Sequence, residues 1–108
     1  MTKHKRLKRQ EHVFAGFLGV GNRLATLDEV RNPSIATRSL GHLSTYDLQK
    51  LVLRRLRTNK NFLPLRMLGV EGVVGKTRAM AEVRTLSHVG QHLMEIEKRL
   101  IRLQLEAR

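Results

Sequence analysis

Cysteine is absent from this 108-residue chain. That absence excludes a disulfide framework, a thiolate metal site and a cysteine nucleophile together. Tryptophan is absent too, and the aromatic residues are Phe14, Phe17, Phe62 and Tyr46 alone. A core must therefore be filled by Leu, Val, Ile, Met and Ala, which suits helix packing, and base-stacking recognition of single strands is disfavoured. No long apolar run is present either. Residues 13–20 form the longest candidate, interrupted by Gly16 and Gly19 and far short of the ~20 residues that span a bilayer. This run follows a basic segment, as a signal peptide would, but it lacks a small-x-small cleavage site and reads as core.

Acidic residues are also few. Lys and Arg outnumber Asp and Glu by 21 to 9, giving a formal net charge of +12. Small soluble domains carry a net charge of about 2–8 in magnitude. A larger charge strains a compact fold by self-repulsion, and a polyanion relieves it by releasing condensed counterions. The expected partner is nucleic acid, with RNA slightly ahead of DNA and a membrane surface behind both. The lack of cysteine favours a reducing intracellular compartment, and the basic N-terminus is compatible with nuclear or organellar targeting.

The charge is unevenly spread. Residues 1–60 hold 13 basic and 4 acidic groups, against 8 and 5 in residues 61–108. Residues 1–12 form a basic arm carrying Lys3, Lys5, Arg6, Lys8 and Arg9, and residues 13–108 are expected to form a single helical domain. A polyanion should dock on the N-terminal half, while the C-terminal half has the pattern of a packing unit.

Helix signals recur along the chain. Thr26-Leu27-Asp28-Glu29 has the form of a capping box, and Asn32-Pro33 should stop its helix within about two turns. An irregular or extended segment is expected over 34–43. Ser44 caps the clearest helix of the N-terminal half, with Asp47 in its first turn, running from 45 to about 57. Asn61 and Pro64 suggest a short helix ending at Gly69. Three glycines between 69 and 75 read as a loop, and one long helix is predicted over about 76–106.

Within the first of these strong helices, Lys50, Arg54 and Arg57 fall on one stripe at 100° per residue, opposite a broad apolar arc. With Lys60 and the arm, they are the predicted nucleic-acid ligands. Arg55 lies at the edge of the apolar arc, where it must snorkel or meet a carboxylate or phosphate.

Other motifs carry less. Gly72-Val73-Val74-Gly75-Lys76-Thr77 resembles a phosphate loop, but the leading glycine falls at 69 rather than 70, and no strand follows to supply a magnesium-binding Asp. A simpler anion site at the helix start, using free amides and Lys76, is the remaining reading there. His88, His92 and Glu95 share a helical face but lack a fourth metal ligand. The glycines of 16–21 have the wrong spacing for a dinucleotide fingerprint, and no serine has an evident base partner. The chain is therefore expected to be no enzyme and to need no cofactor or metal.

Leu86, Val89, Leu93, Ile96, Leu100 and Leu103 recur in steps of three and four, a sustained a/d seam. A helix of about 40 Å exceeds what the rest of the chain can cover, so the seam predicts self-association or a partner helix. The expected fold is all-α, with roughly three to five helices, a basic N-terminal arm and a long C-terminal helix. The alternative to nucleic-acid binding is a helical assembly, scaffold or regulatory protein that oligomerises or docks through that helix.

Overall fold

A computed structural model of the chain describes residues 13–19, 21, 23–60, 62, 64–67 and 71–107. The arm, with Lys3, Lys5, Arg6, Lys8 and Arg9, lies outside the described residues.

The all-α expectation is overturned: the fold is mixed α/β. Strand β1 (Phe14–Leu18) pairs antiparallel with β2 (Leu24–Thr26) on one side and with β3 (Thr37–Arg38) on the other. A register shift between Phe14 and Gly16 bulges the first pairing, and Gly21, at φ +76°, serves the connecting turn. On the other edge, Gly19 N–H donates to the Ala36 carbonyl at 2.8 Å. A Cβ on Gly19 would stand 3.2 Å from the Cβ of Ala36. Local pattern does not reveal these strands, because two to five residues are too few to establish a period of two. The apolar run at the start of the domain is core, as expected, but it enters the core as a strand.

The capping box forms as expected. Thr26 Oγ1 accepts from the Glu29 amide, and Glu29 Oε1 accepts from the Thr26 amide at 2.9 Å. Helix α1 (Leu27–Arg31) follows it and ends at Asn32, which adopts the extended conformation that a following proline demands. A single 3-10 turn over Leu40–His42 leads to Ser44, whose hydroxyl accepts from the Asp47 amide. Helix α2 (Thr45–Thr58) then runs almost as predicted.

Of the predicted short helix over 61–69, the described residues 62 and 64–67 are not helical, and Leu65–Arg66 is a strand instead. Strand β4 (Leu65–Arg66) pairs antiparallel with β5 (Val73–Val74), and Gly72 at φ +77° leads into the latter strand. The β-branched Val73 and Val74, paired with Arg66 and Leu65, favour the ladder over an isolated helical turn with proline near its start.

The single helix predicted over 76–106 is two helices. Helix α3 (Lys76–Thr85) ends at Leu86, a left-handed residue with φ 53° and ψ 37°. The Ser87 amide reaches back to the Glu82 carbonyl in a Schellman-type closure. Ser87 then caps helix α4 (His88–Glu106) by accepting from the Gly90 amide at 3.0 Å. The break lets α4 fold back against α3, and Gly90 is the point of closest approach. A Cβ there would lie 2.0 Å from the Glu82 carbonyl oxygen, so only glycine fits without moving backbone.

Two clusters form the core, with α2 as the wall between them. Leu48, Val52 and Leu56 pack with Val74, Ala79, Val83, Leu93 and Met94 against α3 and α4. Leu51 points the other way, into Ala15, Phe17, Leu27 and Ile101. Arg38 ties β3 to the start of α2: its guanidinium pairs with Asp47 at 3.0 Å and lies over the Phe17 ring.

Candidate nucleic-acid interface

Because Leu48, Leu51, Val52 and Leu56 commit two sides of α2 to the core, the helix has one face left for solvent. Lys50 and Arg57 are exposed on that face and Arg54 is half-buried between them. The predicted stripe thus stands on the outside of the domain.

Around it the fold builds a concave surface. One open depression of about 220 Å³ is lined by Lys50, Arg54 and Arg57 together with Arg84 from the last turn of α3. Its apolar lining comes from Leu24, Leu53 and Met80. Another depression, of about 390 Å³, shares Leu24, Lys50 and Arg54 with the first and continues toward Phe14, Thr26 and Arg23. Among the described residues Glu29 is the single carboxylate on either lining, and one of its oxygens is held by the Thr26 amide. Five cations therefore converge on one concave surface, and among the described residues none of them has a carboxylate partner.

Arg84 and Arg23 are additions that the sequence does not signal. They lie well away from α2 in the chain, and only the docking of α3 and of the β1–β2 hairpin beside α2 brings them to the stripe. Nothing in local spacing marks either. Lys60, by contrast, is exposed beyond the end of α2 and does not line the concavity.

Several other basic side chains are occupied inside the fold. Arg55 is 8% exposed; its Nε donates to Glu97 Oε1 at 3.0 Å, and its Nη1 donates to the Phe14 carbonyl and to Gln104 Oε1. This meets the condition set by its position at the edge of the apolar arc, with a carboxylate rather than a phosphate. Arg31 donates to the Gln104 and Ala107 carbonyls at the end of α4. Lys76 Nζ donates to the Arg57 and Asn59 carbonyls at 3.0 and 2.9 Å, closing the C-terminal end of α2. Lys76 therefore turns toward carbonyl oxygens and not toward an anion at the start of α3. Among the described residues, no group of three or more His, Asp or Glu is placed to hold a metal, His88, His92 and Glu95 included.

The predicted interface seam is divided. Leu86 is the break itself, half-buried with Val89 against the first core cluster, and Leu93 is fully committed to that core at 2% exposed. Ile96 is half-buried, while Leu100 and Leu103 stand 41% and 60% exposed. The face of α4 that meets the core is instead built from Gly90, Leu93, Met94 and Ile101, with Glu97 reaching Arg55. Leu86 falls in the break, while the other five seam residues keep one stripe of α4 that lies to the side of the core-facing stripe, so Leu93 is buried and Leu100 and Leu103 face solvent.

No family model matches the chain, and no curated protein or solved structure shows significant similarity to it.

Proposed function

We propose that this protein binds nucleic acid through the concave surface of α2, α3 and the β1–β2 hairpin, acting by binding and not by turnover. The observation that carries this reading is the sorting of the cations. Arg31, Arg38, Arg55 and Lys76 are taken up by internal acceptors. Arg23, Lys50, Arg54, Arg57 and Arg84 stand together with no ion-pair partner among the described residues. Holding five like charges around one surface costs self-repulsion, and a row of phosphates offsets that cost. The basic arm, if it joins the same ligand, adds further phosphate contacts.

Affinity should then fall steeply with salt. With about five phosphates neutralised, the log–log slope is about −3.5 for a single strand and about −4.5 for a duplex. Replacing Lys50, Arg57 and Arg84 together by Gln should reduce the magnitude of the slope by about two to three. The same exchange at Lys98, Arg99 and Arg102, all on α4, should leave it nearly unchanged. Equal losses from both sets, or no binding to RNA or DNA at about 50 mM salt, would sink the proposal.

An alternative reading rests on Leu100 and Leu103, two exposed leucines one turn apart. They suit an assembly protein that docks through the outer edge of α4. A concentration-independent monomer in sedimentation, with or without Leu100→Asp and Leu103→Asp, would dismiss it.

A further inference from the structure

The concavity is not uniformly polar, and its apolar portion bears on which nucleic acid it takes. Arg23, Lys50, Arg57 and Arg84 are exposed, whereas Arg54, Leu24, Leu53, Met80 and Phe14 on the same lining are half-buried. Thr26 and Glu29 apart, the lining thus sorts into exposed cations, its rim, and half-buried, mainly apolar side chains, its floor. Arg54 belongs to both depressions, and its guanidinium carbon lies over the Phe14 ring, 5.5 Å from the centroid.

We propose that this surface takes unpaired nucleotides of a single strand, with Arg54 stacking on a base while the rim cations hold the phosphates. The inference rests on the nucleic-acid reading above and deepens it. A duplex presents phosphates and sugars outward and keeps the base faces stacked inside. Set against a duplex, the floor of Leu24, Leu53 and Met80 would lose water and gain no apolar partner. An unpaired base supplies the missing partner, because each base has an apolar face that stacks on aromatic rings or guanidinium planes. The Phe14 ring lies within cation–π reach of the Arg54 guanidinium, a contact that narrows the side chain's freedom and so lowers the entropy lost on stacking. The scarcity of aromatics in the sequence argues against recognition of single strands by base stacking, which ordinarily uses a ring. Here a planar cation backed by one aromatic takes the place of such a ring.

The test is a charge-conserving exchange in the full chain. Arg54→Lys keeps the positive charge and removes the plane. Binding is followed by fluorescence anisotropy with a labelled uridine strand and a labelled duplex, each of about 16 nucleotides per strand, and with inorganic polyphosphate as a charge-only competitor. The parent should prefer the uridine strand to the duplex by roughly tenfold at about 150 mM salt. Arg54→Lys should weaken the strand by roughly tenfold, leave its salt slope unchanged, and leave duplex and polyphosphate binding unaltered. Phe14→Leu, which removes the backing ring, should weaken the strand in the same selective way. An Arg54→Lys protein that binds all three probes as the parent does, or that weakens on all three alike, overturns the stacking proposal while the nucleic-acid reading stands. Absence of binding to strand and duplex alike overturns both.

Discussion

Arg54, Arg55 and Arg57 stand within four residues of one another, yet the structure gives Arg55 a different task, and exchanging it alone separates fold from function. Arg55→Met removes a guanidinium that is 8% exposed and leaves Glu97, 13% exposed, without its partner 3.0 Å away. Breaking one side of a buried ion pair costs about 3–5 kcal/mol, because the remaining charge is left desolvated. The Phe14 carbonyl and Gln104 Oε1 lose donors at the same time. With a urea m-value of about 2 kcal/mol/M, the unfolding midpoint should fall by roughly 1.5–2.5 M. Arg55→Met with Glu97→Leu should regain most of that loss, since the pair is removed whole and apolar volume takes its place. Where the single variant remains folded at low denaturant, its salt slope for nucleic acid should match the parent's. A midpoint shift below about 0.5 M would show that the pair is not buried as described. A slope reduced by nearly one would make Arg55 a phosphate ligand and refute the division of labour along α2.

Three further outcomes follow from the packing. Gly90→Ala should destabilise by about 3 kcal/mol or more, at the upper end of overpacking costs, because the added methyl meets the Glu82 carbonyl and not a side chain that can turn away; thermal unfolding reads this, and a change under about 1 kcal/mol would contradict the close contact. Ile101→Ala should cost about 2–5 kcal/mol, whereas Leu103→Ala should stay within about 0.5 kcal/mol, so equal costs in urea unfolding would restore the a/d seam as the buried face. Lys76→Ala should lower stability by about 1 kcal/mol through the lost closure of α2 and leave no nucleotide hydrolysis to lose; magnesium-dependent turnover that disappears with this exchange would revive the phosphate-loop reading.

The features legible in the sequence are those that local chemistry decides alone. The Thr26–Glu29 capping box, the stop at Asn32-Pro33, the Ser44 cap and the outward stripe of α2 each depend on residues within a few turns of one another. The strands are hidden because β3, β4 and β5 are two residues long and gain their identity from partners elsewhere in the chain. The break at Leu86 is hidden for a related reason. Leucine is a good helix former and rarely left-handed, so no propensity marks it, and it is tertiary folding of α4 onto α3 that overrides its preference. Gly90 holds the available clue. A glycine at the third position of a helix, just after a serine able to cap it, signals both a start and a close neighbour. In the candidate site, the α2 cations are legible and Arg23 and Arg84 are not, because convergence of separate elements leaves no trace in spacing.

The scarcity of carboxylates shapes how the charge acts. With only nine acids in the chain, the fold also uses carbonyl oxygens as acceptors for its cations. Arg31 bonds to Gln104 and Ala107, and Lys76 to Arg57 and Asn59, all through main-chain oxygens. A carbonyl satisfies a donor's geometry but cancels none of its charge, so these side chains hold the fold together and still add to the field outside it. Lys76 is the clearest case: its ammonium bonds to the Arg57 carbonyl, at the end of the helix that carries the stripe. Contact and steering should therefore separate on titration with salt. The equilibrium slope counts only phosphates neutralised by Arg23, Lys50, Arg57, Arg84 and any arm residues that join them. The association rate responds to the whole uncancelled charge, within a Debye length of about 8–10 Å at physiological salt. Lys76→Ala should thus slow association at low salt while leaving the equilibrium slope in place, a pattern that a charge confined to the binding surface would not produce.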